Sequence, residues 1–271
     1  NSWIVGLGLA LLVASVIIGG MKSIARVTEK LVPFMCLLYM SAGLVILALH
    51  LTSLPAAFLT ILEEAFSPKA VAGGFIGVMI QGIRRAHFSN EAGIGSAPIV
   101  HAAVKTDEPL TEGFVSLLEP FIDTVVVCTT TALIIIVTGA YKLEGLDGIA
   151  ITSYAFSSVI NWFPYALSIA VFLFALSTMI SWSYYGIKAW NYLFGESYRS
   201  SLIYRFIFCL FTTMSASINL QSVVDLSDAL IFSMSIPNII GLYFLAPELK
   251  GDLKRFMSRV EGRRTKVEGG G

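Results

Sequence analysis

Residues 70–85 read Ala70-Val-Ala-Gly73-Gly74-Phe75-Ile-Gly77-Val-Met79-Ile-Gln81-Gly82-Ile-Arg84-Arg85. The run is apolar, rich in glycine and closed by two arginines. If the arginines mark a membrane face, Gly73 and Gly74 lie about half a bilayer deep, at roughly 1.5 Å of rise per residue. In hydrocarbon every backbone polar group must be paired, so an interrupted helix is tolerated only where it lines a cavity or binds something. A break at the glycine pair would free carbonyls for a cation and amides for a carboxylate. Helix packing on small residues, which Gly77 also permits, is the competing reading.

The rest of the 271-residue chain supports the membrane setting. It is 56% hydrophobic and only 13% charged, with a mean hydropathy of +0.78. Soluble domains carry about 25% charged residues. This composition excludes disordered, collagen-like and nucleic-acid-binding proteins and argues against a soluble enzyme. Lys and Arg number 18, as do Asp and Glu, so net charge points to no partner. Cys36, Cys128 and Cys209 are far apart, each within an apolar stretch, and imply neither a disulfide framework nor a CxxC metal site. Further apolar runs of membrane length cover Trp3–Met21, Leu31–Leu51, Val115–Gly139, Trp162–Tyr185, Ile203–Ile218 and Ala229–Ala246. With the glycine-rich run, seven membrane elements are expected. The opening run has membrane length and no basic leader, so the chain reads as the C-terminal part of a longer polypeptide.

Orientation follows from the positive charges, because short loops rich in Lys and Arg resist translocation. With the C-terminus of the first segment inside, 16 of the 18 basic residues fall on inner sides and only Lys69 and Lys142 remain outside. Ser53–Pro68, with Glu63 and Glu64 between apolar residues, suits an amphipathic helix at the outer interface. Residues 247–271 read as a solvated cytoplasmic tail.

Chemistry concentrates in three places. The stretch 84–103 is polar, glycine-punctuated and too charged for a bilayer centre, where Arg costs about 2.5–3.5 kcal/mol on insertion scales. It is placed at the inner mouth as a structured loop and short helix, where Glu91 pairs with Arg84 or Arg85, as a gate latch or as a simple surface ion pair. His87 and His101 stand fourteen apart, which does not suit zinc, and Gly95-Ser96 lacks the second glycine of a serine-hydrolase elbow. Glu119 and Asp123, four apart, share a helix face near the inner end of their segment. Ser177, Thr178 and Ser181 are mid-helix hydroxyls, with Trp182 one turn after Thr178. Such oxygens suit Na⁺ by analogy with other hard cations, or else bond back to their own helix. An intramembrane enzyme using Glu119 and Asp123, or Ser96 and His101, is the remote alternative, since no complete nucleophile, base and orienter set is present.

Taken together, Val32-Pro33-Phe34-Met35, Gly73-Gly74-Phe75, Arg85 with Phe88-Ser-Asn-Glu-Ala-Gly-Ile-Gly-Ser-Ala-Pro98, Phe121-Ile-Asp-Thr124, and Ser177-Thr178 with Trp182-Ser-Tyr-Tyr-Gly186 resemble the alanine or glycine:cation symporter family, the sodium:alanine symporters. The resemblance covers nearly all of the chain except its last twenty or so residues. It implies an all-α integral membrane protein of the LeuT-type inverted-repeat fold, of which this chain looks like helices four to ten. Residues 1–51 would close the first repeat, and 52–246 would form the second, with the broken helix near 70–85 and a cytoplasmic loop at 86–110. The tail 247–271 would follow. The implied function is Na⁺-coupled uptake of alanine, glycine or another small neutral amino acid by alternating access, in a multi-pass protein of the cell membrane, expected as the bacterial inner membrane. H⁺ coupling, and an inactive portion lacking the first broken helix, are the alternatives. The substrate neighbours implied are Gly73, Gly74, Phe75, Met79, Thr178 and Trp182. Ser177 and Thr178 are the implied Na⁺ ligands, and Arg85, Asn90 and Glu91 the implied gate. The expected partners are amino acid, Na⁺ and membrane lipid, with no organic cofactor and no nucleic acid, acting as a monomer. One departure from the family pattern is Arg84-Arg85-Ala86-His87, which stands where an Arg-Gly pair and an apolar residue are expected.

Overall fold

A computed structural model describes residues 2–65, 75–146 and 148–268. The regular structure of the described residues is all helical, with no strand. In chain order they form α1 (Ser2–Ile17), α2 (Gly20–Leu49), α3 (Leu54–Ala65), α4 (Phe75–Asn90), α5 (Ala97–His101) and α6 (Pro109–Ser116). A stretch of π-helix (Phe121–Cys128) then leads into α7 (Thr129–Val137), followed by α8 (Ile149–Ser157), α9 (Phe163–Phe194), α10 (Tyr198–Ser215) and α11 (Leu220–Glu268). Among the described residues, four helical stretches are long and apolar enough to cross a membrane: Gly20–Leu49, Pro109–Val137, Phe163–Phe194 and Leu220–Glu261. α1 is a shorter apolar helix. Gly73 and Gly74, the expected break, lie outside the described residues, and α4 begins immediately after them.

Several boundaries differ from the apolar runs. Lys22, Arg26 and Lys30 stand inside α2, not in a connecting loop, because nothing at 20–30 breaks a helix and Pro33 is accommodated within it. α9 runs nine residues beyond Tyr185, to Phe194, and stops at Gly195, whose positive φ of 84° is one that glycine adopts without a Cβ penalty. α10 starts where the Ser197 hydroxyl accepts the backbone N–H of Ser200 at 3.1 Å. Residues 247–268, expected as a solvated tail, continue α11 through Pro247. The strong helix formers that follow, Leu249, Lys250, Leu253, Lys254, Arg255 and Met257, carry the helix on past the proline. Within 53–68, expected as an amphipathic helix, residues Leu54–Ala65 form α3, and 66–68 lie outside the described residues.

The chain forms two compact units. The first comprises Asn1–Ile80 and Val125–Val223. Its core joins α2, α7, α8 and α9 through Tyr39, Ile46, Ile134, Phe156, Phe163 and Leu167. Phe156 stacks on Phe163 with ring centroids 4.7 Å apart, and Tyr39 lies 5.3 Å from Phe156. The Tyr39 hydroxyl shares a 2.7 Å hydrogen bond with Thr131, so the one polar atom in this cluster is satisfied. α1 and α10 pack closely because Gly6 is small: a Cβ there would lie 2.7 Å from the Thr213 carbonyl oxygen. Outside this core, residues such as Leu37, Tyr165, Tyr192 and Phe206 stand at least 70% exposed, as a helix bathed in lipid requires.

The second unit comprises Gln81–Thr124 and Val224–Gly271. It is built from the end of α4, the loop 91–96, α5, α6, the start of the π-helical stretch and the greater part of α11.

Candidate functional site

α4 carries Arg84 and Arg85 on successive positions, and both reach Asp228 of α11. Asp228 Oδ2 accepts Arg84 Nη2 at 2.6 Å and Arg84 Nε at 3.1 Å. Arg85 Nη2 donates to the same oxygen. The Asp228 side chain is 5% exposed, against 32% and 42% for the arginines. Asp225, one turn earlier, lies 3.9 Å from Arg84 Nη2. One buried carboxylate thus anchors two guanidinium groups through charge-assisted bonds. The Arg85 Nε is buried without a partner among the described residues.

The Phe88–Pro98 stretch is spelled the way its backbone requires. Asn90 ends α4, and its side-chain oxygen accepts the Ala92 N–H at 3.0 Å, an Asx turn. Glu91, Gly93 and Gly95 then take φ of 55°, 83° and 90°. At Gly95 a Cβ would lie 3.1 Å from the Asn238 side chain, so glycine is required there for space as well as for conformation. Asn238 also donates to the Gly93 carbonyl at 2.9 Å. Ser96, fully buried, donates its hydroxyl to the Glu91 carboxylate. Pro98 sits in the first turn of α5, where its missing N–H costs nothing.

The same stretch meets the π-helical one. Ser89 donates to Asp123 at 2.7 Å, and Asn90 donates to Thr124 at 3.2 Å. Two motifs 34 residues apart in sequence are therefore laid side by side, on a helix type that concentrates at functional sites. Nearby, His101 of α5 bridges two carboxylates, Nδ1 to Glu112 at 2.8 Å and Nε2 to Glu119 at 3.2 Å. Partial burial pulls the His101 pKa down, but the hydrogen bonds to Glu112 and Glu119 and their charges outweigh it, leaving it raised. Glu108 pairs with Arg259, and Phe114 packs on Phe256 with centroids 5.8 Å apart, fastening α6 to the extended part of α11.

In the first unit, α9 carries the expected ion and substrate residues. Ser177 is 5% exposed, donates to the Phe174 carbonyl at 2.9 Å and lies 3.8 Å from the Met35 sulfur. Thr178, the next residue, is exposed. Trp182, one turn after Thr178, is half-buried and packs edge-on to Tyr185 with centroids 5.6 Å apart. Met79 on α4 is 46% exposed. Phe75 opens α4, and its side chain lies outside what is described. The structure thus places Ser177, Thr178 and Trp182 on one helix, and assembles Arg85, Asn90 and Glu91 in one unit. Glu91, expected from sequence to pair with Arg84 or Arg85, takes the Ser96 hydroxyl, and the arginines take Asp228. Sequence reasoning missed Asp228, Asn238 and Glu112. Asp228 abuts the apolar run Ala229–Ala246, and an acid at that edge was the available signal.

The family model described as "Sodium:alanine symporter family" matches residues 1–268. The chain is 41% identical over 257 residues to the sodium/alanine symporter AgcS of Methanococcus maripaludis, covering 93% of this chain and 56% of that protein. It is 34% identical over 256 residues to an uncharacterized transporter of Haemophilus influenzae, with coverage of 93% and 56%. To the probable sodium/glutamine symporter GlnT of Bacillus subtilis it is 33% identical over 258 residues, with coverage of 94% and 54%. The chain therefore spans a little over half the length of these relatives. With its apolar helices and this match along nearly its whole length, it is a multi-pass membrane protein that belongs to the sodium:alanine symporter family, a family of transporters and not of enzymes.

Proposed function

We propose that the protein is a symporter that couples inward Na⁺ flow to uptake of small neutral amino acids, alanine and glycine foremost, by alternating access on a LeuT-type inverted-repeat scaffold. The observation that carries this reading is the family match over residues 1–268. Ser177 and Thr178 are assigned as Na⁺ ligands. A hydroxyl that donates its proton, as Ser177 does to Phe174, retains lone pairs for a cation. Thr178, Trp182, Met79, Phe75, Gly73 and Gly74 are assigned to the amino acid, and Arg85, Asn90 and Glu91 to the gate. Ion and substrate binding next to one another would raise each other's affinity equally, which is the thermodynamic content of coupling.

Trp182 sets the size limit in this reading. A hydrophobic pocket separates substrates differing by one methylene by only about 1–3 kcal/mol, so preference among small amino acids is graded. The relative named as a probable glutamine symporter supports a second reading, in which a larger neutral amide is carried. The test is uptake of radiolabelled alanine by the full-length protein in proteoliposomes, with an inward Na⁺ gradient, with a pH gradient alone, and with competing glycine or glutamine. Alanine uptake that requires Na⁺ and is inhibited by glycine is expected. Uptake driven by pH alone would replace the coupling ion, and absence of any gradient-driven amino-acid flux would overturn the reading. Trp182→Ala is expected to shift competition toward glutamine.

A further inference from the structure

Two cavities adjoin at one end of the first unit. The smaller, about 190 Å³, is lined among others by Ser183, Lys188, Asn191, Ser201, Tyr204 and Arg205. The larger, about 520 Å³, is an apolar groove between α1 and α10, walled by Ala14, Ile17, Ile203, Phe206 and Cys209. Ile17 and Arg205 belong to both, so a cation-bearing pocket lies directly beside an apolar one.

The two cations of the small pocket keep donors to spare. Arg205 spends one donor on the Ile18 carbonyl at 3.3 Å, which leaves most of its guanidinium fork available. Lys188 lies over the Tyr184 ring at 5.6 Å. Neither cation makes an ion pair to a carboxylate among the described residues. Two cations lining one pocket with hydroxyl and amide groups supply the kind of donors that a phosphate oxyanion takes.

Orientation names the ligand class. The α1–α2 turn, the end of α9 and the start of α10 are the segment ends that the basic-residue count assigns to the inner face. From Arg205 the groove runs one helical turn along α10 to Cys209, whose sulfur lies 3.8 Å from the Ala10 carbonyl of the antiparallel α1. The α10 wall of the groove, from Leu202 to Cys209, thus runs from the inner face toward the bilayer centre, with Arg205 in its inner half. Basic pockets between helices on that side suit anionic headgroups. We propose that Lys188 and Arg205 hold the headgroup of an anionic phospholipid of the inner leaflet, with an acyl chain in the α1–α10 groove. The site is independent of which amino acid is carried.

Native mass spectrometry of the purified protein, exposed to phosphatidylglycerol or phosphatidylcholine, tests this. Wild type is expected to retain phosphatidylglycerol preferentially, with the preference falling roughly fivefold for each of Lys188→Gln and Arg205→Gln. Lys188→Arg is expected to keep the preference, and Ala14→Phe, which fills the groove, to lower retention with both cations intact. Should the glutamine variants fail to fold, wild type in rising salt provides the second measurement, and its preference is expected to fall as salt screens the headgroup from the two cations. Equal retention of the two lipids, a preference insensitive to both salt and substitution, displacement by inorganic phosphate, or a lipid-free dimer would each overturn the proposal.

Discussion

The core around Phe156 and the network around Asp228 stabilise their units by opposite means. In the first, Ile46, Ile134, Phe156 and Phe163 are at most 1% exposed and the contacts are ring on ring and ring on aliphatic. In the second, a glycine loop and several helix ends are joined by carboxylates, guanidinium groups, hydroxyls and an imidazole. Apolar packing is non-directional, insensitive to salt and pH, and intolerant of lost volume. A charge network is directional and can exist in discrete arrangements separated by little free energy. Apolar core and charge network thus fall in different compact units of the chain.

The widest gap between the two regions is expected from volume. Phe156→Ala removes a fully buried ring that touches both Tyr39 and Phe163, and should cost about 3–5 kcal/mol of stability, read as the unfolding temperature of the purified protein. A loss below about 1 kcal/mol would mean that this cluster does not hold the unit.

Charge comes next. Asp228→Asn keeps the shape of the acceptor but removes the carboxylate that both guanidinium groups share, leaving Arg84 with the more distant Asp225. About 2 kcal/mol is expected, less than a dry ion pair would lose because both arginines are partly exposed. Unlike Phe156→Ala, this loss should shrink as salt is added. A salt-independent loss would place Asp228 with the packing residues and erase the distinction.

The two regions also differed in how far the sequence exposed them. Uninterrupted apolar runs mark where α2, α9 and α11 cross, because the hydrophobic requirement of a bilayer is written locally. Helix ends were less visible. Gly195 stops α9 nine residues past the apolar run, and the polar segment after Pro247 stays helical because its residues are good helix formers rather than apolar ones. In the candidate site, Gly93, Gly95 and Asn90 could be read as loop punctuation, since a left-handed φ and an Asx turn are local demands. The partners could not: Asp228 lies 144 residues from Arg84, and Asn238 lies 145 from Gly93. Nothing in local spacing selects Asp228 over Glu91 as the counter-ion of the arginines.

Backbone strain gives a smaller effect that tests the loop alone. Gly95→Ala forces a Cβ into a φ of 90° and against Asn238, for an expected cost of about 1–2 kcal/mol. Gly77→Ala serves as the control, since its Cβ would meet nothing within 4 Å. It should be neutral or slightly stabilising. Equal effects at the two positions would remove the claim that the loop geometry is what these glycines supply.

The smallest effect is the one that only the charged region can show. His101 has its pKa raised above the ordinary 6.5 by Glu112 and Glu119, against the opposing effect of burial. A group whose folded pKa is raised contributes stability that is fully present below its unfolded pKa and lost as pH rises through the folded one. The unfolding temperature of wild type should therefore exceed that of His101→Gln most below the ordinary 6.5, and the gap should narrow as pH rises above it. Because Glu119 is 61% exposed, the difference should stay under about 1 kcal/mol. Phe156→Ala, measured over the same range, should show a constant deficit. A gap that widened with pH would reverse the sign of the imidazole's contribution and make His101 a neutral acceptor, which two flanking carboxylates give no reason to expect.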